Sequence, residues 1–129
     1  MSHLARIFAA IAAVGFVASA IVNVCSWLGI PQPFGAVAWG LHGGIFVVWI
    51  PAILSAQRLT KNAKQADFWK VVLRGAPNWM RYGFYVLFPY TLLNFFAGIA
   101  LQDGGDASSF RIFSGHWMLF YFAALAMLT

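Results

Sequence analysis

The sequence predicts an all-α integral membrane protein: a four-helix bundle with both termini cytoplasmic and a short amphipathic interfacial helix between spans two and three. Three observations carry this. Hydrophobic residues make up 62 % of the 129 residues and charged residues only 9 %, whereas soluble domains carry roughly a quarter charged residues. Four separate stretches are long and apolar enough to cross a bilayer core, which takes about 20 residues per helix. The charges are also unevenly placed. The length suits one transmembrane domain, residues 1–129. The single Cys25 excludes an internal disulfide framework or a cysteine-cluster metal site.

The first span, residues 7–28, follows Arg6 and contains "ASA" (Ala18–Ala20), which resembles a signal-peptide cleavage site. The apolar run continues past Ala20, so an uncleaved helix is expected. "GIPQP" (Gly29–Pro33) is a tight turn that makes the second span, 34–56, an antiparallel neighbour of the first. Spans three and four follow at 82–101 and 110–128. Pro51 and Pro89 lie inside spans two and three, where each removes one backbone donor. "QDGGDASS" joins the last two spans, with Ser108 or Ser109 placed to cap the fourth. In lipid every backbone polar group needs an internal partner, so the four runs are helices.

The long central connection contains "KQADFWKVVLRGAP". Phe68, Trp69, Val72 and Leu73 share one helical face, Lys70 and Arg74 lie towards the other, and Gly75 and Pro77 end the segment. Six of the eight basic residues (Arg58, Lys61, Lys64, Lys70, Arg74, Arg81) fall between spans two and three, with Arg6 ahead of span one. The outer connection carries Asp103 and Asp106, followed by Arg111. By the positive-inside rule the N-terminus, central loop and C-terminus face the cytoplasm. The net charge of +5 thus expresses membrane orientation and not nucleic-acid binding.

Counting 1.5 Å per residue from the outer end of each span puts Asn23 about 7–8 Å deep, His116 about 9 Å, Asn94 about 10 Å and His42 about 12 Å. Each span contributes one strongly polar side chain to a common layer. Intramembrane polar groups face the protein interior and pair with one another. The layer therefore reads either as a structural clasp or as a binding site. In the second case His42 and His116 would be the axial ligands of a haem b. Gly40, Gly43, Gly44 and Gly115 would allow close helix approach, and Arg111 would meet the propionates. Copper or zinc fits less well, because Met118 is two residues from His116 and points to another helix face. No span holds a carboxylate, and no nucleophile elbow accompanies Ser26 or Ser114, so no catalytic residue is expected. Trp27, Trp39, Trp69, Trp79, Trp117, Tyr82 and Tyr85 fall near span ends, as interfacial belts do.

Two words, "LRGAPNWMRY" (Leu73–Tyr82) and "SGHWMLFY" (Ser114–Tyr121), resemble segments of small four-span bacterial membrane proteins of uncharacterised function. That resemblance implies a bacterial inner-membrane location and a four-helix fold, and no activity. With minimal extramembrane mass and no catalytic constellation, the expectation is a non-catalytic accessory or structural subunit. Its partners would be the lipid bilayer and other membrane subunits or further copies of itself. A haem b electron-transfer protein and a small-molecule or lipid carrier are the alternatives.

Overall fold

In the computed structural model, residues 2–129 are described, Asp106 by its backbone alone. Among them there are only helices. Four are long and apolar enough to cross a membrane: α1 (His3–Leu28), α2 (Gly40–Thr60), α4 (Asn78–Ala100) and α5 (Asp106–Leu128). This is the organisation of a multi-pass membrane protein. A five-residue α3 (Phe68–Val72) lies between α2 and α4.

Local chemistry sets the helix ends. Ser2 caps α1, its hydroxyl accepting from Ala5 N–H at 3.2 Å. Gly29 closes α1 in the left-handed region (φ 68°), and its N–H returns to the Cys25 carbonyl. The chain then enters α2 through a 3₁₀ turn, Gly35–Trp39. Both α2 and α4 run unbroken through Pro51 and Pro89. The helices α1, α4 and α5 each begin four residues before the apolar segment read from the sequence, whereas α2 begins at Gly40 and not at 34, its first turns being 3₁₀, and runs on to Thr60.

The start of α5 corrects one expectation. Helix begins at Asp106 after Gly105, so Ser108 lies inside the first turn and does not cap it. Its hydroxyl accepts from Asp103 N–H at 3.1 Å and donates to the Asp103 carboxylate at 3.0 Å. Gly105 N–H donates to the same carboxylate. The Gly105 N–H and the Ser108 hydroxyl hold the Asp103 carboxyl below the usual carboxylate range.

The last helix in the chain is the central one. Of its span, 61 % is buried inside the protein, against 17–28 % of the other three. It packs on α1, α4 and α2, while α1 also touches α2. Yet α5 is the least apolar of the four. That order is expected where the outer solvent is hydrocarbon, because the most lipid-like surfaces then belong outside. Ser114, Gly115, Ala123, Ala124 and Ala126 are all buried, small enough to let neighbouring helices approach closely. Tyr121 fits between Gly15 and Gly44, where any β-carbon would strike its ring or hydroxyl, and its OH donates to the Leu41 carbonyl at 2.7 Å. Trp49 adds a second tie between α2 and α5, its indole N–H reaching the Phe120 carbonyl.

The central connection is helical where the pattern of Phe68 to Leu73 suggested. Val72 and Leu73 are buried, Phe68 is half-buried, and Lys70 and Arg74 are exposed. Trp69 stacks on Phe84 with ring centroids 4.8 Å apart. The helix itself is a short one, preceded by a 3₁₀ turn at Gln65–Asp67.

Candidate functional site

The four-residue layer resolves into three different environments. Asn23 on α1 and Asn94 on α4 are both buried and directly joined, the Asn23 amide donating to Asn94 Oδ1 at 2.9 Å. The α1 and α4 backbones make few close approaches, so these side chains bridge a gap. Asn23 Nδ2 also donates to Ser114 Oγ of α5 at 2.9 Å. Its Oδ1 accepts from the Tyr90 hydroxyl. Asn94 Oδ1 accepts a further bond from Trp27 Nε1 at 2.7 Å, and its amide donates to the Arg111 carbonyl at 2.8 Å. The aromatic donors cross over: Trp27 stands one turn from Asn23 but serves Asn94, and Tyr90 stands one turn from Asn94 but serves Asn23.

The word "SGHW" has a structural meaning one residue at a time. Ser114 meets Asn23 of α1. At Gly115 a β-carbon would overlap the Asn94 side chain, so only glycine leaves the carboxamide its place, and the Gly115 carbonyl accepts from Thr91. His116 sets its ring edge-on to Phe95 of α4, centroids 5.1 Å apart. Trp117, fully buried, donates its indole N–H to His42 Nδ1 of α2 at 3.0 Å. Four consecutive residues thus address all three other long helices.

The two histidines therefore have separate neighbours. His42 is exposed on the outer surface of the protein and packs near Phe113 and Trp117. A neutral imidazole that accepts at Nδ1 carries its hydrogen on Nε2. His116 is half-buried on the α4 side of α5, with Nδ1 buried and unpartnered among the described residues. The nearby glycines are divided as well. Gly44 faces Tyr121, Gly115 faces Asn94, and Gly40 and Gly43 face open space. No three His, Cys, Asp or Glu side chains converge among the described residues.

No family model, curated protein or solved structure matches this chain.

Beyond the asparagines lies a second polar group. Gln32 donates to Ser26 Oγ at 2.9 Å and to the Val22 carbonyl at 3.3 Å. Arg111 donates to the Ser26 carbonyl at 3.3 Å and lays its guanidinium over Trp27, 4.9 Å from the ring centroid. Trp27 is therefore wedged between Arg111 and Asn94, and Trp117 is a core residue. In both, the indole N–H finds a partner inside the protein. Among the six loop cations, Arg81 differs from the rest. It is half-buried and its guanidinium donates to the Leu73, Ala76 and Arg74 carbonyls, tying the end of α3 to the start of α4. The other five are exposed.

The depth count identified the asparagines but missed Trp27, Tyr90, Ser114 and Thr91. A signal was present. Trp27 is four residues after Asn23 and Tyr90 four before Asn94, the spacing that places side chains on one helix face.

Proposed function

We propose that this chain is a non-catalytic accessory or structural subunit, a four-helix bundle in the bacterial inner membrane that docks on a larger membrane complex with both termini cytoplasmic. One observation carries the reading: the polar side chains around the two buried asparagines are hydrogen-bonded within the protein. Asn23, Asn94, Ser114, Tyr90, Thr91 and Trp27 all end on protein partners, so the layer acts as a clasp that sets helix register. Groups that bind substrate or shuttle protons in membranes instead face a cavity. The surface left over is apolar on all four long helices, which suits lipid and other membrane helices alike. The separate neighbours of His42 and His116 favour this reading over a shared haem.

Affinity purification of the full chain from mildly solubilised bacterial membranes, with crosslinking before lysis, tests the proposal. A defined protein partner at constant stoichiometry is expected. Recovery as an isolated species with no crosslinked neighbour would overturn it. So would turnover or transport by the purified protein that Asn94→Ala abolishes. An absorption spectrum of the same sample addresses haem: a Soret band lost on replacing His42 and His116 together would favour the electron-transfer alternative.

A further inference from the structure

After α2 ends at Thr60, the chain turns back and α3 lies against the end of α2. Between them is an open groove of about 530 Å³. Leu59 and Val71 supply apolar walls, and Lys64, Lys70 and Arg74 supply the charge, with Asp67 the one acid. Asp67 pairs with Lys70 at 3.5 Å, both exposed, and this is the only ion pair among the described residues. Three cations against one carboxylate leave two positive charges uncompensated. The C-terminal carbonyls of α2 contribute about half a negative charge, too little to neutralise them. Arg81 is turned to backbone carbonyls and takes no part.

The groove has two kinds of wall, and that fits one kind of ligand. Leu59 is 56 % exposed at the end of a helix whose outer face is apolar, so an apolar wall borders the cations directly. A soluble anion uses the cations and leaves Leu59 bare. We infer that the groove formed by the end of α2 and α3 binds the phosphate of an anionic membrane lipid headgroup through Lys64, Lys70 and Arg74, with the lipid's acyl chains running down past Leu59. A basic recess at the membrane surface attracts such headgroups by about 1 kcal/mol per cation near the surface. This inference does not depend on the subunit role proposed above.

The full-length protein in neutral detergent, titrated with phosphatidylglycerol or phosphatidylcholine and read by native mass spectrometry, provides the test. Wild type is expected to bind phosphatidylglycerol in preference. The combined variant K64Q/K70Q/R74Q is expected to weaken that binding by roughly a hundredfold, about fivefold per cation, while helicity by circular dichroism is unchanged. R6Q/R58Q/K61Q removes the same charge outside the groove and is expected to retain most of the preference. Equal binding of both lipids by wild type, or an equal loss in the two variants, would overturn the site. Displacement of bound phosphatidylglycerol by inorganic phosphate at submillimolar concentration would overturn the lipid assignment and leave a soluble phosphate as the ligand.

Discussion

At the scale of single residues, the protein depends on a few side chains that fit only because a neighbour lacks one. Asn94 is held by Asn23, Trp27 and the Arg111 carbonyl, in a space that Gly115 leaves open. Asn94→Ala strips three bonds and leaves the half-buried indole N–H of Trp27 without its partner. Intramembrane hydrogen bonds contribute about 0.6 kcal/mol each on average, and an orphaned donor adds its own cost. A loss of roughly 2 kcal/mol in detergent unfolding is expected. A paired substitution isolates the steric part. Gly115→Ala forces a β-carbon into the Asn94 carboxamide and should cost about 1–3 kcal/mol. Gly43→Ala meets open space and should be neutral or slightly stabilising. Equal unfolding midpoints for the two alanine variants would refute this account of the "SGHW" word. None of these partners follows from hydropathy, because hydropathy reports how deep a residue lies and not which way it points.

Among the elements, the connections behave differently at the two ends of the helices. The turn after α4 is held by Asp103, whose carboxylate accepts from Gly105 N–H and the Ser108 hydroxyl. Its pKa is lowered in the folded protein, so its contribution is complete above the unfolded value, about 3.9. That contribution is lost as the pH falls through the lower folded value. Amide exchange in residues 103–108 should therefore accelerate as the solution is acidified below about pH 4, relative to the intrinsic rate. Asp103→Asn should remove that pH dependence. At the other end Arg81→Gln should release the Leu73 and Ala76 carbonyls and raise exchange in residues 73–81, leaving α5 unaffected. A uniform rise throughout the chain would refute a local role. The elements themselves were legible from sequence, since 20-residue apolar runs leave lipid-exposed backbone no alternative to helix. Their ends were not, because the boundaries depend on caps such as Ser2 and Gly29 and on the early start of α5. Arg81 shows the same limit. Counted as one of six loop cations, it is in fact fastened to carbonyls.

For the whole molecule, charge asymmetry predicts an orientation that can be measured directly. In a Cys25→Ser background, a single cysteine at Gln102 should react with an impermeant thiol reagent added outside intact cells. One at Asn62 should react only after permeabilisation. The opposite pattern would invert the proposed topology. The sequence also held a hint of how the helices are arranged, in that the least apolar span carries small residues at Ser114, Gly115, Ala123, Ala124 and Ala126. Hydropathy alone places that span last in order of conviction, while the packing places it first in importance. The position of α5 has a consequence for how the protein is made. Synthesis proceeds from the N-terminus, so α1, α2 and α4 are made before their common partner. Until then Asn23 and Asn94 lack Ser114 and the Arg111 carbonyl, and Gly15 and Gly44 have no Tyr121 between them. Joining of α1 to α4 thus waits for α5, whereas α1 and α2 touch directly. A chain truncated before α5 would lack the partner on which α1, α2 and α4 all pack.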